Sequence, residues 1–120
     1  MARSWTLRYD ERPWSLNMER SWHYHKRAKF VKQWRDAFKE LAEAQDIPLL
    51  GGITVVATPV LRGRVQDIGN CFPAAKAAVD GLIDAGVIQD DAPEFLHGLT
   101  FKHPIKSKTD ALILEVIETP

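Results

Sequence analysis

A single cysteine, Cys71, occurs in 120 residues, so no disulfide can close within the chain. No apolar run approaches the roughly 18 to 20 residues that a membrane-spanning helix needs. The first residues also lack the apolar core of a signal peptide. Internal repeats, low-complexity stretches and Pro/Gly-rich linkers are missing as well. Lys and Arg number 16 and so do Asp and Glu, so there is no net charge. These absences exclude a disulfide scaffold, a membrane partner and a multidomain chain. They leave one domain over residues 1–120, with a cytoplasmic location as the simple expectation.

What the chain does have is an uneven charge distribution. Residues 1–64 hold 12 Lys/Arg against 7 Asp/Glu, whereas residues 65–120 hold 4 against 9. A basic half and an acidic half suit a protein that grips a polyanion with one part and holds a divalent cation with the other.

Period-two alternation over 3–9, with Trp5, Leu7 and Tyr9 on one face, predicts a strand. Residues 17–27 show no clean period and read as a loop in which aromatic and basic residues interleave. Arg20, His23, Lys26 and Arg27 are its candidate phosphate contacts. Trp22 and Tyr24 could stack bases or lid the core, and the residues leave both open. Over 28–44 an apolar stripe through Phe30, Val31, Trp34, Phe38, Leu41 and Ala42 predicts a core-facing helix. A strand follows over 53–61, and Pro59 is expected to fray it or to lie at an edge. Arg62 and Arg64 then lead into Asp67, and two guanidiniums beside a carboxylate can clamp a phosphate.

Asn70 is the expected N-cap of a helix over 72–85, with Pro73 in its first turn and Ala75, Val79, Leu82 and Ile83 on its buried side. Lys76 and Asp80 share a face four residues apart, the spacing of a plain surface ion pair. Gly86 permits the chain to double back, bringing Asp90 and Asp91 toward the start of the helix. Carboxylates gathered with a lysine are what magnesium-dependent phosphodiester chemistry needs: oxygen ligands for the hard cation, and an ammonium against the phosphate charge. Strands over 95–102 and 111–118 close the chain. The fold class is therefore α+β, a small mixed sheet with two helices in the order β-α-β-α-β-β.

This order, together with the acids flanking the second helix, resembles the RusA-like Holliday junction resolvases of bacteriophages and prophages. The resemblance covers nearly the whole chain, from the Pro-Trp-Ser-Leu-Asn stretch at 13–17 to a closing hairpin. It is most specific over 76–91, where Lys76, the Asp80-Gly81-Leu82 turn, Gly86 and the Asp90-Asp91 pair fall in the family's order. It implies a small homodimer that nicks four-way DNA junctions symmetrically with Mg2+. Lys76 would be the essential lysine, and Asp67, Asp91 and Asp90 would be metal-holding acids, with Asn70 as a neutral oxygen donor. The family pattern upstream is Asp-x-Asp-Asn, with the lysine three residues after the asparagine. Here Gly69 stands at the second acid, and Lys76 comes six residues after Asn70. Two functions follow as expectations: a branched-DNA endonuclease, or a branched-DNA-binding protein of the same fold in which Gly69 has weakened cleavage.

Overall fold

Alternation, stripe and turn signals resolve into eight elements in a computed structural model that describes residues 3–63 and 67–120. In chain order they are β1 (Ser4–Tyr9), α1 (Leu16–Glu19), α2 (Tyr24–Ala44), β2 (Ile53–Arg62), α3 (Phe72–Asp84), β3 (Leu96–Phe101), β4 (Ile105–Ser107) and β5 (Ala111–Glu118). The α+β class and the mixed sheet stand, with one short helix and one short strand more than the sequence predicts. Arg64 lies outside the described residues.

The sheet runs β1-β5-β2-β3, with β4 also on β2. Strand β2 is its centre, antiparallel to β5 on one side and parallel to β3 and then β4 on the other. The expected closing hairpin is therefore not formed, because β3 and β5 lie on opposite sides of β2. Nor does Pro59 fray β2 or mark an edge, since it pairs with Leu112 of β5. The carbonyl of Ala57 accepts from the Lys102 amide at 3.0 Å, so Pro59, two residues on, turns its nitrogen to that same side. There β3 has ended and β4 starts only at the Val60–Ile105 pair, so the missing N–H forfeits no ladder bond.

Leu7 is fully buried, and Trp5 and Tyr9 pack against the same core, as the alternation predicts. Two differences in the helices have local causes. The Ser15 hydroxyl accepts from the Met18 amide and starts α1 at Leu16, from where it runs into the segment read as a loop. The His23 imidazole accepts from the His25 amide through Nδ1, so α2 begins at Tyr24 rather than Ala28. Trp22, caught between the two helices, stacks on Trp14 and packs tilted against Phe30, with ring centres 6.0 and 4.6 Å away. It lids the core, whereas Tyr24 is 61% exposed.

Helix α3 is buried far beyond one stripe. Ala74, Ala75, Ala77, Ala78, Val79, Gly81 and Leu82 are all buried, while Ile83 is only partly so. Small side chains let α3 sit against α2 and the sheet together. At Gly81 an added Cβ would collide with the backbone carbonyl of Arg35 and lie 3.1 Å from the Lys39 amide nitrogen. Beside this contact, Arg35 donates two hydrogen bonds to Asp84, at 2.6 and 2.9 Å. Gly86, at φ +80°, ends α3 as the amide of Val87 bonds back to the Leu82 carbonyl. The chain doubles back there as expected. Among the described residues no helix is long and apolar enough to cross a membrane.

Gly81→Ala is expected to destabilise the fold by about 2 kcal/mol. Backbone on α2 cannot rotate away, and overpacking outweighs the roughly 1 kcal/mol gained in helix propensity. Urea unfolding should show a lower midpoint with an unchanged slope.

Candidate active site

Helix α3 carries Lys76 and Asp80 on the strip of its surface that remains half-exposed. The Lys76 ammonium donates to Asp80 Oδ1 at 2.7 Å and to Asp91 Oδ2 at 2.9 Å. One lysine thus joins two carboxylates, the second brought in by the reversal at Gly86. Asp90 serves that reversal differently. Its Oδ1 accepts from the Ala92 amide at 2.7 Å, fixing the turn that presents Asp91.

The Lys76–Asp80 pair borders a cleft of about 260 Å³ whose other walls include Leu16, Glu19, Val31 and Phe72. Glu19 comes from α1, which is tied to the entry of α3 by the Leu16 amide donating to the Asn70 carbonyl at 3.0 Å. Its carboxylate is held by the Trp14 indole N–H at 2.8 Å and faces Arg27 at 3.5 Å. Sequence reasoning assigned Glu19 nothing and Asp80 only an ion pair. The four-residue spacing from Lys76 was the signal for Asp80. Glu19 had none, since its place in the cleft depends on the α1–α3 tie.

Partial burial pulls the Lys76 pKa down, but the hydrogen bonds it donates to Asp80 and Asp91 outweigh that and hold the ammonium above its ordinary range. The same hydrogen bond from Lys76 keeps the Asp91 carboxyl below the usual carboxylate range. Burial pushes the Cys71 thiol up to about 11, so at neutral pH it packs as a small apolar residue.

The remaining predicted residues lie elsewhere. The side chain of Asp67 is exposed and makes no hydrogen bond or ion pair among the described residues, while its carbonyl accepts from the Asn70 amide. Asn70 is not the N-cap. That position belongs to Cys71, which makes no side-chain capping bond. Gly69, at φ +79°, closes a tight turn over 67–70 instead, and its carbonyl takes the Phe72 amide. A backbone turn thus does the work expected of the asparagine side chain.

Arg20 and Arg27 line a second cleft, of about 330 Å³, next to Trp22, and Lys26 sits over the Trp22 ring at 4.8 Å. His23 is committed to capping α2. Arg62 belongs to neither group, lining a third cleft with Arg8, Arg12 and Lys108.

The described residues contain no group of three or more His, Cys, Asp or Glu placed to hold a metal by protein ligands alone. Asp91 is half-exposed and gives one oxygen to Lys76, leaving the other without a protein hydrogen bond among the described residues. One or two such carboxylates, completed by water and substrate phosphate, are what Mg2+ takes in phosphoryl-transfer sites. No protein-family model matches the chain, and no curated protein matches it either.

The paired geometry predicts that Lys76 titrates above the protein's solvent-exposed lysines when followed by NMR at its Cε. Asp80→Asn and Asp91→Asn should each lower it. The sign follows from linkage. Lys76, raised on folding, contributes stability below the ordinary lysine pKa that is lost as pH rises through its folded value. Asp91, lowered, contributes above the ordinary aspartate pKa, and that part is lost as pH falls through its folded value.

Proposed function

We propose that the protein is a magnesium-dependent endonuclease acting on branched DNA, four-way junctions foremost, of the RusA-like type that its sequence resembles. The observation that supports this reading is the Lys76–Asp91 contact. Two residues singled out from the sequence, fifteen positions apart, meet at 2.9 Å beside a cleft.

In this reading Asp91 holds the cation, with Asp67, Asp90 and Asn70 as the further oxygen donors that the resemblance implies. Bound there, magnesium supplies an activated water and neutralises phosphate charge. Water would add to phosphorus and give up a proton to solvent, the P–O bond to the leaving sugar oxygen would break, and that oxygen would take up a proton from solvent in exchange. Lys76 neutralises the charge that builds on the phosphate oxygens or assists the leaving oxygen. Asp80, its second partner, keeps the ammonium in place while Asp91 serves the cation. Arg20, His23, Lys26, Arg27, Arg62 and Arg64 contact the backbone. Paired nicks across a two-fold junction call for a C2 homodimer with one site per subunit.

A second reading, a branched-DNA-binding protein of the same architecture with little cleavage, rests on Gly69. Its left-handed backbone stands where the family carries an acid.

Cleavage of a labelled four-way junction in millimolar Mg2+, beside linear duplex of the same sequence, separates the two. Symmetric nicks confined to the junction and abolished by Asp91→Asn are expected. Lys76→Met should lower the rate by roughly 10²- to 10³-fold, the size of losing one transition-state charge partner. Tight junction binding without nicks by the unsubstituted protein would establish the binder and remove these catalytic roles.

A further inference from the structure

The folded charge distribution differs from the sequence's basic and acidic halves. Among the described cations of residues 1–64, seven are consumed in ion pairs: Arg3–Glu118, Arg8–Asp10, Arg12–Asp110, Arg27–Glu19, Lys32–Asp36, Arg35–Asp84 and Lys39–Glu43. Of the outward cations Lys29, Lys32, Arg35 and Lys39 of α2, the last three are paired with acids on α2 or α3. In the acidic half, Lys76 is paired too, but Lys102, Lys106 and Lys108 are exposed and form no ion pair among the described residues. The fold carries these three to the side of β2 that ends in Arg62. The Lys102 amide donates to the Ala57 carbonyl, and Lys108 lines the same cleft as Arg62, while Lys106, in register with the buried Leu61, reaches the edge from the opposite face of the sheet.

That cleft, of about 600 Å³, is braced from behind. Asp110 Oδ1 accepts from the Arg62 amide at 2.7 Å and from Arg12 Nη1 at 3.1 Å, and Arg12 Nη1 also donates to the Arg62 carbonyl at 3.1 Å. The brace takes up the Asp110 carboxylate and the Arg62 backbone, leaving the Arg62 guanidinium outside any ion pair among the described residues. Asp10 is paired with Arg8, and Glu11 is left as the acid lining the cleft without an ion pair among the described residues.

We infer that Arg62, Lys102, Lys106 and Lys108 form one phosphate-binding strip along the β4 edge, and that its ligand is the sugar–phosphate backbone of a DNA duplex arm. The inference rests on the DNA-directed reading above and adds to it three lysines from the acidic half of the sequence. Unpaired, solvated cations gathered along one sheet edge are what counterion release rewards, whereas cations already paired with carboxylates gain little from a phosphate. The lysines could otherwise serve to keep an edge strand from pairing with another chain, a role that needs no nucleic acid.

Salt-dependent binding distinguishes these. Affinity for a fluorescently labelled four-way junction, and for linear duplex, is measured by anisotropy across a salt series without Mg2+, so no cleavage intervenes. Lys106→Gln/Lys108→Gln should lower the slope of log affinity against log salt by about two, one for each phosphate that the protein no longer neutralises. Lys32→Gln/Lys39→Gln, which removes the same charge from paired lysines on α2, should leave the slope near that of the unsubstituted protein. An unchanged slope in Lys106→Gln/Lys108→Gln, with DNA still bound, overturns the strip and leaves the endonuclease reading intact. An unchanged slope accompanied by self-association would make the lysines edge guards and overturns it equally. If the unsubstituted protein binds neither DNA, the strip and the endonuclease reading both fall.

Discussion

Helix α3 lies against α2 and the sheet at once, and this double contact is possible only because its buried positions are small. The constraint is sharpest at Gly81, where the Arg35 carbonyl occupies the space a side chain would need. Everything chemically interesting on α3 depends on that fit. With Ala74, Ala75, Ala77, Ala78 and Gly81 packed inward, the remaining surface is a narrow strip, and Lys76 and Asp80 occupy it. A lysine on such a helix has little freedom to wander. Its ammonium is held by Asp80 on one side and Asp91 on the other. The Gly86 reversal completes the arrangement by setting the distance at which Asp91 returns.

Electrostatics then acts on what packing leaves free. Ion pairs between exposed partners contribute little stability each, but they decide which charges remain available to a ligand. The seven pairs involving the N-terminal cations blunt the basic half, and Lys76 offsets two aspartates of the acidic half. Among the described residues, cations outside any ion pair are left in two places, from Arg20 to Lys29 and along the β4 edge. Partition by sequence position therefore misstates the surface, because a carboxylate neutralises whichever cation the fold brings to it.

The strand periodicities, the α2 stripe, the α3 helix and the reversal at Gly86 were all legible, because each is a local pattern whose signal lies within the element. Lys76 and Asp91 were legible as residues, and their contact followed from a single turn. What could not be read depends on partners distant in sequence. The position of Glu19 depends on a tie between Leu16 and Asn70, and α1 itself on a cap at Ser15 within a stretch too short to show a period. Strand β4, three residues long, exists because β2 outruns β3 and offers it backbone groups beyond Pro59. The same break misled the reading of Pro59, because a gap on one side of a central strand tolerates proline as well as an edge does. Asn70 failed as a cap because the adjacent Gly69 turn satisfies the Phe72 amide with backbone alone.

That turn bears on how the proposed chemistry would run. An aspartate at 69 would have to adopt φ near +79°, which costs an L-residue roughly 1–2 kcal/mol relative to glycine. The entry into α3 is thus built for a tight backbone turn rather than for a second carboxylate. With fewer acids offered by the protein, a cation at Asp91 would draw more of its oxygen ligands from water and from the DNA phosphate. Metal affinity and substrate affinity would then be coupled, each rising with the other, as linkage requires of two ligands that share a site. Such a site is assembled by its substrate. Its discrimination between branched and linear DNA would accordingly rest on the surfaces that position the phosphate, more than on the metal ligands themselves.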